Sequence, residues 1–153
     1  MYGKTVTIFN YHESATEEAY WYPHVLNCVD LNTDRGAIIK KYGHDSTDNA
    51  QLHVRIAHLN GKVYIFGKNH ILTPWLPPKE WKKQAEELLP ETLTFSPESD
   101  FFWEGDWQGG IVTDSDYRGG FYQYMNSNEN NVFKITSVGG PYSLIPHFEL
   151  LAK

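Results

Sequence analysis

The sequence predicts a mainly β fold, an antiparallel barrel or sandwich, with one helix around residues 78–89. Three observations point there. Thr5–Phe9 and Gln51–Leu59 alternate from one face to the other with the period of a strand. Asn60-Gly61 stands between two such runs, and both residues tolerate the positive φ that a two-residue hairpin demands. Aromatic residues make up 15% of the chain, a bias that suits strands and contact surfaces.

In order along the chain, Thr5–Phe9 opens as a strand, with Val6 and Ile8 on one face and Thr5, Thr7 and Phe9 on the other. Asn10–Glu18 is polar and reads as a loop. Pro23 biases Tyr22 to an extended backbone. Val25–Leu31 is the second strand, its parity placing Leu26, Cys28 and Asp30 opposite Val25, Asn27, Val29 and Leu31. Asn32–Gly36 is a turn, Ala37–Tyr42 a short strand, and 44–49 a polar loop. Gln51–Leu59 has Leu52, Val54 and Ile56 on one side and His53 and Arg55 on the other, as expected of a strand with one wet face. Lys62–Phe66 completes the hairpin.

Thr73–Pro78 carries three prolines and reads as a stiff connector. It leads into the one expected helix, where Trp81, Ala85 and Leu88 repeat at helical spacing and Pro90 ends the run. Glu91–Phe95 is a further short strand. Phe101–Trp107 is a strand or turn, followed by a Gly-rich excursion. Phe121–Met125 alternates aromatic with polar residues and reads as an edge strand. Asn126–Asn131 is an exposed loop, Val132–Val138 the clearest strand, Gly139–Tyr142 a turn, and His147–Leu151 a terminal strand.

At 153 residues, with no internal repeat or low-complexity linker, the chain is expected to form a single β-rich domain over residues 1–153. Its net charge of −6 and the lack of a basic cluster argue against sequence-specific nucleic-acid binding. The single cysteine, Cys28, fits a reducing compartment and reads as a small, inert core residue. The N-terminal stretch has no apolar core of signal-peptide length, and no run is long enough for a membrane helix. The expected location is the cytoplasm at synthesis, with no secretion and no membrane partner.

No pattern for chemistry emerges. The histidines at 12, 24, 44, 53, 58, 70 and 147 show no metal-ligand spacing, and there is no cysteine pair. Asp114-Ser-Asp116 has the first spacing of a calcium loop without its glycine or distal glutamate. Glu104 and Asp106 share a face of an extended segment, a spacing common in solvated turns. The glycines from Gly105 to Gly110 match no phosphate-binding pattern. No catalytic residue, metal or cofactor is therefore expected. Trp103, Trp107, Tyr117, Phe121, Tyr122 and Tyr124, with Asp106 among them, form an aromatic-dense patch. It reads either as core packing or as a recognition surface for a protein or a sugar.

Five segments in a fixed order carry a resemblance: Lys4–Asn10 (KTVTIFN), Tyr22–Leu26 with Val29 after it, Gly105-Asp106, Val132–Val138 (VFKITSV) and His147–Glu149. In this order the chain resembles small structural proteins of phages and prophages of Gram-positive bacteria, described as minor capsid or head-tail joining proteins. It is similar to the stopper-like β-barrels that form a ring below the portal. The resemblance implies a non-enzymatic virion protein that acts by subunit association. Its partners would be portal, adaptor or tail proteins and itself, as a homo-oligomer, in the bacterial host cytoplasm and then in the virion. Trp107–Gly110 and the proline-led helix depart from that pattern. The competing reading is a small β-barrel module that binds a ligand or carbohydrate through an exposed Trp/Tyr patch.

Overall fold

A computed structural model describes residues 3–43 and 48–153. The expected loop at 44–49 lies largely outside the described residues, as does His44. The architecture is mainly antiparallel β, built around a closed six-strand barrel. The barrel strands are β1 (Lys4–Glu13), β2 (Ala19–Asn32), β3 (Ala50–Leu59), β6 (Phe101–Trp103), β8 (Val132–Tyr142) and β9 (His147–Ala152). They run in the ring order β1-β2-β3-β9-β8-β6 and back to β1, with every neighbouring pair antiparallel. β4 (Lys62–Phe66) and β5 (Leu72–Pro74) extend the sheet beyond β3, and β7 (Val112–Thr113) pairs with the start of β2.

The hairpin expected at Asn60-Gly61 is present. Both residues have positive φ, and Leu59 pairs with Lys62 across the turn. The alternation in β3 turns Leu52, Val54 and Ile56 into the barrel, where they meet Val6, Ile8, Phe102, Ile135, Phe148 and Leu150. β1 is apolar on both faces for a reason: Val6 and Ile8 fill the barrel, while Phe9 belongs to a second, aromatic core outside it.

Parity in β2 differs from the simple alternation. Lys4 pairs with Val29 and Val6 with Leu26, so the β2 stretch carries one extra residue. This β-bulge at Asn27-Cys28 puts Cys28 at φ 58 and brings both Leu26 and Val29 into the core. Cys28 itself is half-buried rather than a core residue. β2 also continues upstream through Pro23 to Ala19, and β1 runs on to Glu13, which shortens the expected loop to residues 14–18.

Four further expectations are corrected. Ala37–Tyr42 belongs to a helix, α1 (Arg35–Tyr42), because the Asp34 carboxylate accepts from the Gly36 and Ala37 amides and caps it. Lys40 and Lys41 complete its last turn, where positive charge is favoured. Phe121–Met125 is not an edge strand but part of α3 (Phe121–Asn128), which takes in the first half of the expected loop; Phe121 and Met125, four residues apart, bury the same face. Gly139–Tyr142 continues β8, and the reversal falls at Ser143–Pro146. The single helix at 78–89 divides into α2 (Pro78–Lys82) and a 3₁₀ turn at Glu86–Glu91, because Ala85 is extended. Trp81 and Leu89 still share one small core with Tyr22.

The expected strand at Glu91–Phe95 reduces to a single parallel bridge between Trp75 and Leu93. The segment instead sends Leu93 and Phe95 into the barrel core. Buried polar groups fasten it. The Asn10 amide donates to the Thr94 carbonyl at 2.7 Å and to Asp100 at 2.9 Å, while Asp100 accepts the Tyr11 and Ser96 amides, each at 2.9 Å. Among the described residues no helix is long and apolar enough to cross a membrane.

Candidate interaction surface

The aromatic patch read from the sequence is for the most part a second core. Phe9, Trp21, Phe101, Val112, Phe121, Met125 and Val132 are buried together, and Phe121 is 0% exposed. Trp103, Trp107, Tyr117 and Tyr122 pack against this cluster with part of each ring in solvent. Phe121 is thus corrected from surface to core.

The glycines that suggested exposure do the opposite. A Cβ on Gly105 would lie 2.4 Å from the Trp103 ring, and one on Gly109 would lie 2.8 Å from the Trp107 ring. The chain is bare at both positions so that the indoles can fold back over it. Thr7 fixes the same turn from below: its hydroxyl donates to the Gly105 carbonyl at 2.8 Å and accepts the Trp107 amide at 3.1 Å.

Asp106 is exposed and pairs with Lys68 at 3.2 Å and with the Gln108 amide at 2.8 Å. Glu104 meets Lys4 at 3.4 Å and Asn131 at 3.0 Å. The two carboxylates therefore each have their own partners. Tyr124 is the most exposed aromatic of the predicted set, tilted against Tyr117 with ring centroids 4.7 Å apart. Asp114, the first residue of the partial calcium pattern, is occupied in holding Trp21 and the start of α3. No group of three or more His, Cys, Asp or Glu side chains that could hold a metal occurs among the described residues.

Among the described residues the largest shifts fall on Asp100, which is buried, and on His24, a half-buried residue whose ring is enclosed. Burial pushes the Asp100 carboxyl up to about 6, against the pull of the hydrogen bonds from Tyr11, Ser96 and Asn10. Burial lowers His24 to about 4, against one hydrogen bond to the Thr92 backbone. The His24 Nε2 is shielded and has no hydrogen-bond partner among the described residues. Both groups lie beside the segment that plugs the barrel.

The exposed apolar surface lies elsewhere. Leu144 is 86% and Ile145 78% exposed, at the tip of the β8–β9 hairpin. Two hydrogen bonds hold the tip. Ile145 adopts φ 48, the ring Nδ1 of His147 donates to the Ile145 carbonyl, and the Ile56 amide donates to the Pro146 carbonyl at 3.3 Å. A β-branched residue in the left-handed region is strained, and such strain collects at functional sites. The sequence did carry a signal here: two large apolar residues inside a turn, before a proline. Beyond β4, Val63, Tyr64, Trp75, Leu76 and Leu88 line a groove of about 510 Å3.

Residues 1–153 match the model of a protein family of unknown function, DUF6751. No curated protein and no solved structure matches the chain. Over its whole length, then, the protein belongs to the family of unknown function DUF6751.

Proposed function

We propose that the protein is a non-enzymatic structural component of a phage or prophage virion, a minor capsid or head-tail joining protein that works by subunit association. The observation that carries this reading is the hairpin tip. Leu144 and Ile145 stand in solvent on a turn that is strained and fixed by hydrogen bonds. Large apolar side chains presented in this way favour association unless a partner covers them. A preformed tip also loses little conformational entropy on docking. The order of the five segments described above supports the same reading, and a closed barrel is a scaffold on which such a tip can be held.

The test is the composition of purified particles. Induced prophage particles, banded by density and analysed by mass spectrometry, are expected to contain the protein at a fixed ratio to the portal protein. Its presence only in the soluble lysate would rule the reading out.

A further inference from the structure

Two tyrosines flank a depression on the outer face of the barrel that takes in part of the β8–β9 tip, with Leu144 and His147 in its lining. It measures about 450 Å3 and adjoins a second of about 160 Å3; Tyr142 and Glu149 line both. Tyr142 and Tyr42 are 42% and 37% exposed, a high figure for rings that line a concavity. One face of Tyr142 lies against the His147 ring, with centroids 5.0 Å apart.

The polar floor is ordered before any ligand arrives. Glu149 Oε1 accepts from Lys41 Nζ at 2.8 Å and from the Gln51 amide at 3.2 Å, and it lies 2.9 Å from His53 Nε2. Gln51, itself buried, also donates to the Tyr42 hydroxyl at 2.7 Å. All three contacts fall on one carboxylate oxygen. Among the described residues, no hydrogen bond reaches Glu149 Oε2 or the Ser143 hydroxyl, and both residues line the depression.

Charge decides which ligand fits. Burial works to raise the Glu149 carboxyl, but the Lys41 hydrogen bond and charge bring it below its ordinary value, so carboxylate and ammonium compensate each other and an anion gains no net attraction. A cation is also disfavoured, because Lys41 already sits on Glu149 and 5.3 Å from the Tyr42 ring centroid. What remains is a neutral ligand with hydroxyl donors for Oε2, acceptors for Lys41 and a C–H face for the exposed side of Tyr142. We propose that this depression binds a neutral saccharide unit, stacked on Tyr142 and hydrogen-bonded to Glu149 Oε2. This goes beyond the structural role; because Leu144 lines the same depression, the Tyr142 and Glu149 variants test the sugar site while leaving the two apolar side chains of the tip in place.

The experiment is an amide-correlation NMR titration of the full chain with glucose, galactose and N-acetylglucosamine, with glycerol as the control polyol. A shallow site with few contacts gives a Kd in the millimolar range. At least one sugar is expected to shift the resonances of Tyr142, Glu149 and the Gln51 side-chain amide. Tyr142→Ala and Glu149→Gln are each expected to weaken that sugar about tenfold. Tyr142→Phe, which keeps the ring, should retain most of the binding, and Tyr124→Ala should leave it unchanged. No shift at these three residues with any of the sugars, or the same shift with glycerol, would overturn the proposal. So would a titration that Glu149→Gln leaves intact.

Discussion

Asp114 holds Trp21 through a single oxygen. Its Oδ1 accepts the Trp21 indole N–H at 2.8 Å and, also at 2.8 Å, the backbone amide of Phe121, the first residue of α3. One carboxylate thus ties β2 to a helix that Gly120 alone does not cap. A negative group at that end also meets the positive end of the helix dipole. Asp114→Ala removes the acceptor from two donors, one of them a part-buried indole. We expect a loss of about 2–3 kcal/mol in urea unfolding, with faster amide exchange across α3. Asp114→Asn keeps an oxygen and should cost less. Equal losses for the two variants would show that the shared oxygen is not what matters.

The same geometry bears on calcium. Because Asp114 is engaged on both sides, calcium is expected to leave the melting temperature where it is in EDTA. A concentration-dependent rise would mean that a ligand stabilises the native state and that the pattern at Asp114–Asp116 is a site after all.

Asp100 and His24 make opposing contributions to acid stability. His24 sits near 4 in the fold and at 6.5 when unfolded, so its contribution is complete above about 6.5 and is lost as pH falls towards 4. Asp100 sits near 6 in the fold and at 3.8 when unfolded, so its contribution is complete below about 3.8 and is lost as pH rises through 6. Each shift corresponds to about 3 kcal/mol, and over pH 4–6 the two nearly cancel. Removing one should expose the other. Relative to the unaltered chain, His24→Gln is expected to gain stability from pH 6 to pH 4, and Asp100→Asn to lose it. Urea midpoints at four pH values would show this; parallel curves for all three proteins would refute the assignment.

At Cys28 the backbone matters more than the thiol. Its φ of 58 at the β2 bulge is tolerable for a small side chain and strained for a β-branched one. Cys28→Ala is expected to change stability by less than about 0.5 kcal/mol. Cys28→Val should cost about 1–2 kcal/mol. If valine were accepted as readily as alanine, the bulge would not be where Leu26 and Val29 both acquire their inward direction.

The barrel was legible in the sequence wherever one residue in two is buried. Leu52, Val54 and Ile56 announce β3, and Asn60-Gly61 announces the turn after it. Legibility failed where a side chain far away sets the local backbone. The Phe121–Met125 alternation suits a strand as well as a helix until Asp114 caps it. The bulge at Cys28 appears only once β1 is paired with β2. The aromatic patch was found but its direction was not, because a glycine beside a tryptophan reads equally as exposure or as room for the ring to lie back. Gly105 and Gly109 are the second case. The tip at Leu144-Ile145 is not legible, because two apolar residues ahead of the terminal strand fit its approach as well as they fit a turn.

That tip gives the sharpest test of the proposed role. Leu144 and Ile145 contribute little to the core, being almost wholly in solvent. Replacing both with aspartate therefore removes no buried contact, and surface changes of this kind stay within about 0.5 kcal/mol. The doubly substituted chain should unfold at no lower a urea concentration than the original, and relief of the β-branched residue at φ 48 should raise it. Burying two carboxylates against an apolar partner, by contrast, costs several kcal/mol unless they are paired. The variant is thus expected to fold normally and to be missing from assembled particles when supplied in place of the original. Wild-type incorporation of the aspartate variant would remove the tip as the contact, and with it the observation on which the assembly reading rests. A variant that fails to fold would show instead that the tip supports the β8–β9 hairpin, and the single change Leu144→Ser, milder in charge and size, would then separate folding from docking.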